Sequence, residues 1–338
     1  MKGKCIFKND GIVLLNKSRG ISSFKAINKL KWVIGSNKVG HAGTLDPIAE
    51  GLLIVMINNA TKFSDNLMKK DKEYFVELEL GYETDTYDTE GEITEKYEGN
   101  LNISDEKILE VINSFTGEIM QVPPMYSAIK INGEKLYELA RKGIEVEREA
   151  RKVKIYSIKE IHVENKEKCR ISFYTEVSSG TYIRSLVRDI GRKLGVYATM
   201  TRLVRTKIDK YSIEESVSLE EIEEKLAKEK EAPKKNISED ISDNIEKVEE
   251  IIKFKNIECI FNYEKISVSE EKYKKLKNGM TVLVGFKKFK DIYTVTENNL
   301  YCVYVKNETL GKKEFKGIVK VIRKGHDKVY LKREKYFI

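Results

Sequence analysis

From residue 40 the chain reads Gly-His-Ala-Gly-Thr-Leu-Asp-Pro, continues Ile-Ala-Glu-Gly, and then enters an unbroken apolar run at 52–57. A stretch of that length with no polar face reads as a buried strand. Glycines at 40, 43 and 51 permit positive φ or close backbone approach. Pro47 pushes Asp46 toward an extended conformation. A carboxylate is thereby presented on a restrained loop that leads directly into the core. An isolated Asp-Pro pair is more often a turn cap than a site, but the motif as a whole reverses that preference.

Around this feature, strands and helices follow in irregular order. Residues 11–15 are apolar and precede Asn16, Lys17, Ser18, Arg19 and Gly20, which predicts a strand entering a loop. Ser22 or Ser23 then caps a helix in which Phe24, Ile27, Leu30 and Ile34 recur at helical spacing, stopped at Gly35. Helical spacing returns over 60–70. Tyr74, Val76, Leu78 and Leu80 alternate with Phe75, Glu77 and Glu79, the period-two pattern of a strand with one face inward. Ser104 caps a helix reaching Phe115, and 134–142 is expected to be another, ending at Gly143. Residues 171–177 are expected as a strand and 181–194 as a helix closed by Gly195. This order predicts a mixed α/β or α+β body.

Between 219 and 255 the composition shifts to Glu, Lys, Asp, Ser and Asn. Ser218 with Glu221 makes a capping-box pattern, so this segment is expected to open as a charged helix and to pass into a linker over 232–239. A run of both charge signs is usually a solvated surface. Beyond Phe261, short strands at 281–284 and 301–305 separated by Gly and Lys clusters predict a small β-rich domain. The expected division is therefore a body at 1–219, a charged helix and linker at 220–258, and a C-terminal domain at 259–338.

The 338 residues carry 62 Lys and Arg against 54 Asp and Glu, a formal charge of +8, which suits a polyanionic partner without proving one. Cys5, Cys169, Cys259 and Cys302 are dispersed and only three histidines occur, so neither a zinc site nor a disulfide framework is indicated. The N-terminus lacks a signal-peptide core and no run approaches the ~18 apolar residues of a membrane span, so the expectation is a cytoplasmic protein.

The string Gly40-His41-Ala42-Gly43-Thr44-Leu45-Asp46-Pro47, followed by Ala49, Gly51 and Leu53, resembles the catalytic motif of TruB-type tRNA pseudouridine synthases. Asp71-Lys72-Glu73-Tyr74 is similar to that family's base-stacking tyrosine segment, and Gly180-Thr181-Tyr182-Ile183-Arg184-Ser185-Leu186 to its arginine motif. Residues 124–130, 136–138 and 148–151 match as well, so the likeness runs from about residue 11 to 219. The chain departs from the pattern at Ser18, where proline is common, and at Val204, where arginine is usual. The C-terminal residues Phe315-Lys316-Gly317-Ile318 and 331–337 are similar to a PUA domain, a small RNA-binding β barrel.

The resemblance implies an α+β pseudouridine synthase fold, a mixed and mainly antiparallel sheet with flanking helices, plus a small C-terminal β-barrel-like domain. It implies that Asp46 acts as nucleophile or base, that Tyr74 stacks on the target uracil, and that Arg184 orients Asp46 and keeps it ionised. His41 would occupy the space left by the flipped base. Lys17, Lys130, Arg141, Arg151, Tyr182 and Leu203 are the further candidate RNA contacts, and 118–148 resembles an RNA-gripping insertion. The implied substrate is the T stem-loop of tRNA, with uridine converted at position 55, no cofactor or metal, no membrane, and a monomeric enzyme. Read alone, Tyr74 shares strand parity with Val76 and Leu78 and would be core, and Arg184 would be a surface helix charge. Two other readings are a guide-RNA-dependent, dyskerin-like enzyme and a non-catalytic tRNA chaperone. Retention of Asp46, Tyr74 and Arg184 together argues against the second.

Overall fold

The computed structural model describes residues 7–131, 133–165, 169–231, 245–289, 295–306, 313–324 and 328–337. The linker expected at 232–239 lies outside the described residues. In the strand Glu50–Ile57 every residue after Glu50 is buried. Side chains alternate across a strand, so a run apolar at every position must bury both faces. Leu53, Val55 and Ile57 join a cluster with Ala26, Leu30 and Ile34 of the helix Ser23–Ile34 and with Leu186, Val187 and Ile190 of the helix Ile183–Leu194. Leu52, Ile54 and Met56 enter a second cluster with Ala60, Phe63 and Leu67 and with Cys302, Tyr304 and Ile318 from the C-terminal sheet. The paired strand Gly11–Lys17 divides in the same way, Val13 and Leu15 to the first cluster, Ile12 and Leu14 to the second. Full burial of each such aliphatic side chain is worth roughly 1.5–3 kcal/mol.

The large sheet runs Val217–Ser218, Gly11–Lys17, Glu50–Ile57, Ala198–Ile208, Lys72–Leu80, Cys169–Val177, Arg151–Asn165, Gly117–Gln121. Its first pair and the pair of Glu50–Ile57 with Ala198–Ile208 are parallel, and the other neighbours along this order are antiparallel. A mixed, mainly antiparallel sheet with flanking helices is thus the observed α+β architecture. The smaller sheet, ordered Glu264–Val268, Leu300–Lys306, Lys313–Lys324, Lys328–Phe337, Val282–Gly285, curls around its own core with the helix Glu270–Lys277. Alternation again partitions one strand. Tyr301, Val303 and Val305 face that inner core, while Cys302 and Tyr304 face the large sheet.

Helix ends follow their local signals. The Ser22 hydroxyl accepts from the Lys25 N–H, and Gly35 takes φ 64 at the C-cap of the first helix. The Ser104 hydroxyl accepts from the Lys107 N–H at the start of the helix Asp105–Asn113. Glu221 N–H donates to the Ser218 hydroxyl and Ser218 N–H to the Glu221 carboxylate, which is the expected capping box ahead of Leu219–Glu231.

Several boundaries differ from expectation. The first strand continues through Lys17, because Asn16 and Lys17 pair with Leu52 and Gly51. Residues 60–70 form a 3-10 turn, Asn58–Phe63, followed by a short helix, Ser64–Met68. The helix expected at 134–142 shrinks to Leu136–Ala140, because Glu134–Lys135 pairs with Lys130–Ile131 as a hairpin and Leu136 and Leu139 pack on Met125 in a small cluster of their own. The helix expected from 181 begins at Ile183, since the Tyr182 backbone is held by the Gln121 side chain.

Gly51 has φ +98°, and a Cβ there would lie 2.5 Å from the Arg205 carbonyl oxygen. Gly51→Ala is expected to cost about 2–4 kcal/mol through left-handed strain and overpacking together. Urea denaturation measures this, and a loss below about 0.5 kcal/mol would mean the strand edge relaxes freely.

Candidate functional site

The loop bearing Asp46 is fixed by side chains from elsewhere. The Ser23 hydroxyl donates to the Leu45 carbonyl at 2.9 Å and accepts from the Leu45 N–H at 2.8 Å. Gly20 N–H donates to the Pro47 carbonyl at 2.8 Å, and Ala49 N–H to the Asp46 carbonyl at 3.1 Å. Arg205, fully buried, donates through Nε to the Leu52 carbonyl at 2.8 Å and through Nη2 to the Gly43 carbonyl at 3.1 Å. One guanidinium therefore ties both flanks of the loop together. Gly43 has φ +103°, a conformation that glycine supplies without strain.

Arg184 lies on the helix Ile183–Leu194 with its side chain 6% exposed. Its Nη2 is 2.8 Å from the Asp46 carboxylate and donates to the Tyr126 carbonyl at 2.8 Å. Its Nη1 donates to the Thr86 carbonyl at 3.0 Å and lies 3.6 Å from the Asp88 carboxylate. The guanidinium thus bridges two carboxylates. The side chain of Asp88 is 4% exposed, whereas that of Asp46 is 38% exposed and so stays open to a ligand. Burial pushes the Asp88 carboxyl above the usual carboxylate range, against the pull of Arg184, the Thr86 hydroxyl and the Glu90 N–H.

The other residues singled out in the sequence take several positions. Tyr74 is 8% exposed, shares a cluster with Leu45 and Leu203, and stands opposite Arg205 in the strand register. Tyr182 caps the helix just before Arg184, and burial raises its phenol, with Arg151 and Arg184 lowering it and Asp46 raising it. His41 ends the strand Val39–His41 with its Nδ1 buried and without a partner, and burial and then Arg205 lower its pKa. Lys130, Arg141 and Arg151 are exposed, Arg141 lying 5.5 Å over the Tyr137 ring. Two expected RNA contacts are placed differently. Lys17 is 1% exposed and its Nζ donates to the carbonyls of Ile21 at 2.8 Å and Ser18 at 3.0 Å, so it is occupied in holding the loop. Burial pushes it down to about 8, with Asp46 and Glu50 pulling it back up. Leu203 is buried within the main cluster.

Sequence reasoning missed Asp88, Arg205, Ser23 and Gln121. The Gln121 amide accepts from the Tyr182 N–H at 2.8 Å and donates to its carbonyl at 3.1 Å, and Ser185 donates to the Val122 carbonyl at 2.9 Å. The root of the 118–148 segment is thereby tied to the Arg184 helix. The polar run 84–88, Thr-Asp-Thr-Tyr-Asp, was the available signal for Asp88, since Asp and Thr concentrated after a strand mark a turn with side chains to place. Among the described residues no group of three or more His, Cys, Asp or Glu is arranged to hold a metal ion, and no helix is long and apolar enough to cross a membrane.

Residues 31–183 match the family described as TruB family pseudouridylate synthase, N-terminal domain, and residues 184–253 match the tRNA pseudouridylate synthase B C-terminal domain. The tRNA pseudouridine synthase B of Clostridium tetani is 42% identical over 302 residues, 89% of this chain and 94% of that protein. That of Aquifex aeolicus is 49% identical over 212 residues, 63% of this chain and 73% of that protein. The crystal structure of a Cbf5-Nop10-Gar1 complex contains a chain with a similar fold, at TM-score 0.63 and 22% identity, covering 97% of this chain and 85% of that one.

Burial disfavours the imidazolium cation, so His41 is expected to titrate below its ordinary 6.5 and to be mainly neutral at pH 7. Histidine NMR over pH 4–9 measures this, and a midpoint at or above 6.5 would contradict the buried Nδ1.

Proposed function

The chain belongs to the TruB family of tRNA pseudouridine synthases and isomerises uridine to pseudouridine in tRNA, and from that premise we propose that Asp46, held by Arg184, is the group that starts the reaction. The observation that carries this reading is the 2.8 Å contact between the Arg184 guanidinium and a carboxylate that is itself still open to solvent. The reaction breaks the bond from ribose C1′ to uracil N1, turns the base, and joins C1′ to C5. The C5 proton is lost and N1 gains one, so no outside atom is consumed. Such chemistry calls for a carboxylate able to add covalently or take a proton, a slot for the detached base, and exclusion of water.

Asp46 meets the first demand. In the free protein it is 38% exposed, so water screens its pair with Arg184; an RNA seated over the site would displace that water and strengthen the pair. Arg184 is anchored independently by Asp88 and by two carbonyls, so it positions Asp46 without needing Asp46 to position it. Tyr74 lies below the loop on a rigid central strand and is the proposed stacking surface for the uracil, a contact worth roughly 1–3 kcal/mol. The base must leave its stack to reach this slot, at a cost of a few kcal/mol. The position of His41 at the mouth of the same loop supports its proposed role in occupying the vacated space, with Tyr182 beside Arg184 completing the wall.

The proposed target is uridine 55 in the T-loop, held by the 118–148 segment through the exposed Lys130 and Arg141, and by the exposed Arg151 at the start of the strand that follows it. The domain division at 219 and 259 and a monomeric enzyme active on bare tRNA belong to the same proposal. The described lysines of the C-terminal sheet, among them Lys313, Lys320 and Lys332, support an accessory RNA-binding role for that unit. The C-terminal sheet shares a core with the back of the large sheet, so it acts as a fixed extension of the body.

Asp46→Asn is expected to abolish isomerisation while tRNA affinity stays within roughly tenfold, because phosphate and stacking contacts lie elsewhere. Release of tritium from C5-labelled uridine in a tRNA transcript measures the reaction, and turnover at a tenth of the wild-type rate would remove Asp46 from the proposed role. Arg184→Lys should lose about a hundredfold or more in the single-turnover rate, because a point charge cannot reach two carboxylates and two carbonyls at once. Thermal melting of the same variant separates lost chemistry from the instability of an uncompensated Asp88. Near wild-type chemistry in Arg184→Lys would reduce the arginine to a structural charge.

A further inference from the structure

The helix Ser23–Ile34 buries Ser23, Ala26, Ile27, Leu30 and Ile34. Apart from Val33, which packs partly against the core, its remaining positions fall within an arc of roughly 160° at about 100° per residue. That arc holds Phe24, Lys25, Asn28, Lys29, Lys31 and Trp32, three cations and two aromatics with no carboxylate. Phe24 is 70% exposed and Trp32 is 80% exposed, the two highest values among the exposed large hydrophobic residues. They lie eight residues apart, about 12 Å along the helix. The acidic helix Leu219–Glu231 packs against the same helix, yet among the described residues no carboxylate pairs with Lys25, Lys29 or Lys31. The helix begins beside the reaction site, because Ser23, its first residue, is the one that clamps Leu45 next to Asp46.

Unpaired lysines interleaved with open aromatic faces fit a polyanion that also carries flat π-systems, which is the chemistry of single-stranded nucleic acid. A protein partner would be expected to bring carboxylates to such a face and to bury its aromatics in a pocket, and the smooth convex surface of a helix offers none. We propose that this helix face is a second RNA-binding surface, on which Trp32 and Phe24 stack unpaired bases of the tRNA strand next to the target loop while Lys25, Lys29 and Lys31 meet its phosphates. The inference rests on the tRNA-modifying reading and extends it to a substrate contact outside the Asp46 site and the 118–148 segment.

The chain contains a single tryptophan, so Trp32 is its own reporter. A tRNA transcript titrated into the full-length Asp46→Asn protein should quench Trp32 emission and protect it from iodide. Trp32→Ala and Phe24→Ala, in the otherwise wild-type protein, should each raise KM for the transcript about tenfold, in line with the loss of one stacked base. Their single-turnover rates at saturating enzyme and their melting temperatures should stay at wild-type values. Lys29→Gln should lower the slope of log affinity against log salt by about 1. Emission and iodide access unchanged at saturating tRNA would overturn the proposal. So would protection of Trp32 without RNA accompanied by a doubled mass in sedimentation, which would make the face a self-association surface. A wild-type protein that binds the transcript but releases no tritium would instead sink the catalytic reading, and the fluorescence result would still decide the helix face.

Discussion

The structure depends on one constraint, the burial of the strand Glu50–Ile57 on both faces. A strand with no polar side has to be covered twice. One cover consists of the helices Ser23–Ile34 and Ile183–Leu194, and the other is built from the 58–68 turns together with the outer face of the C-terminal sheet. The Asp46 loop enters this strand directly, so the position of the carboxylate is set by an element buried at every residue after Glu50. The neighbouring strand Gly11–Lys17 is partitioned in the same manner, which extends both cores without leaving an exposed apolar edge.

Against that apolar frame the site is an intrusion of charge. Lys17, Arg184 and Arg205 are all buried and surround a loop of about eight residues. Their cost of desolvation is offset by the partners they engage, Lys17 on carbonyls at its own turn, Arg205 on both flanks of the loop, and Arg184 on two carbonyls and two carboxylates. Because Asp88 is buried and Asp46 is not, the shared arginine has one permanent partner and one that is accessible. A carboxylate held that way is oriented before substrate arrives. Among the described residues the His41 Nδ1, at the end of the short strand that leads into the loop, is buried with no partner, an exception to the satisfied groups around it.

Legibility in the sequence differed between elements for identifiable reasons. The helix Ser23–Ile34 was readable because its apolar spacing at Ile27, Leu30 and Ile34, its serine cap and its glycine stop agree, although Phe24, read with the same stripe, faces outward. The strand Lys72–Leu80 was readable because it keeps strict period two. The 134–142 segment was misread because a local hairpin, Lys130–Ile131 with Glu134–Lys135, took its first two residues, and the Asn132-Gly133 dipeptide between them, a short-range hairpin signal, was passed over. Lys17 was misplaced because a lysine after a strand ordinarily faces water, and only the closing loop supplies carbonyls enough to bury it.

The sequence by itself determined the catalytic family, through a motif long enough to be specific, and the two-sided burial of the strand that follows it. It also determined the caps and stops of the major helices, since these depend on neighbours within four residues. Tertiary structure alone decided which charges meet. Asp46, Asp88 and Arg184 lie up to 138 residues apart in the chain, the separation from residue 46 to residue 184. Nothing in periodicity or spacing relates them, and Arg184 viewed on its helix has the same local pattern as a solvated charge. Its contact with both carboxylates arises when the sheet closes and the helix Ile183–Leu194 is pressed against it. Coulombic and hydrogen-bond partners act over a few ångströms of space, whereas sequence patterns report only what lies a few residues away.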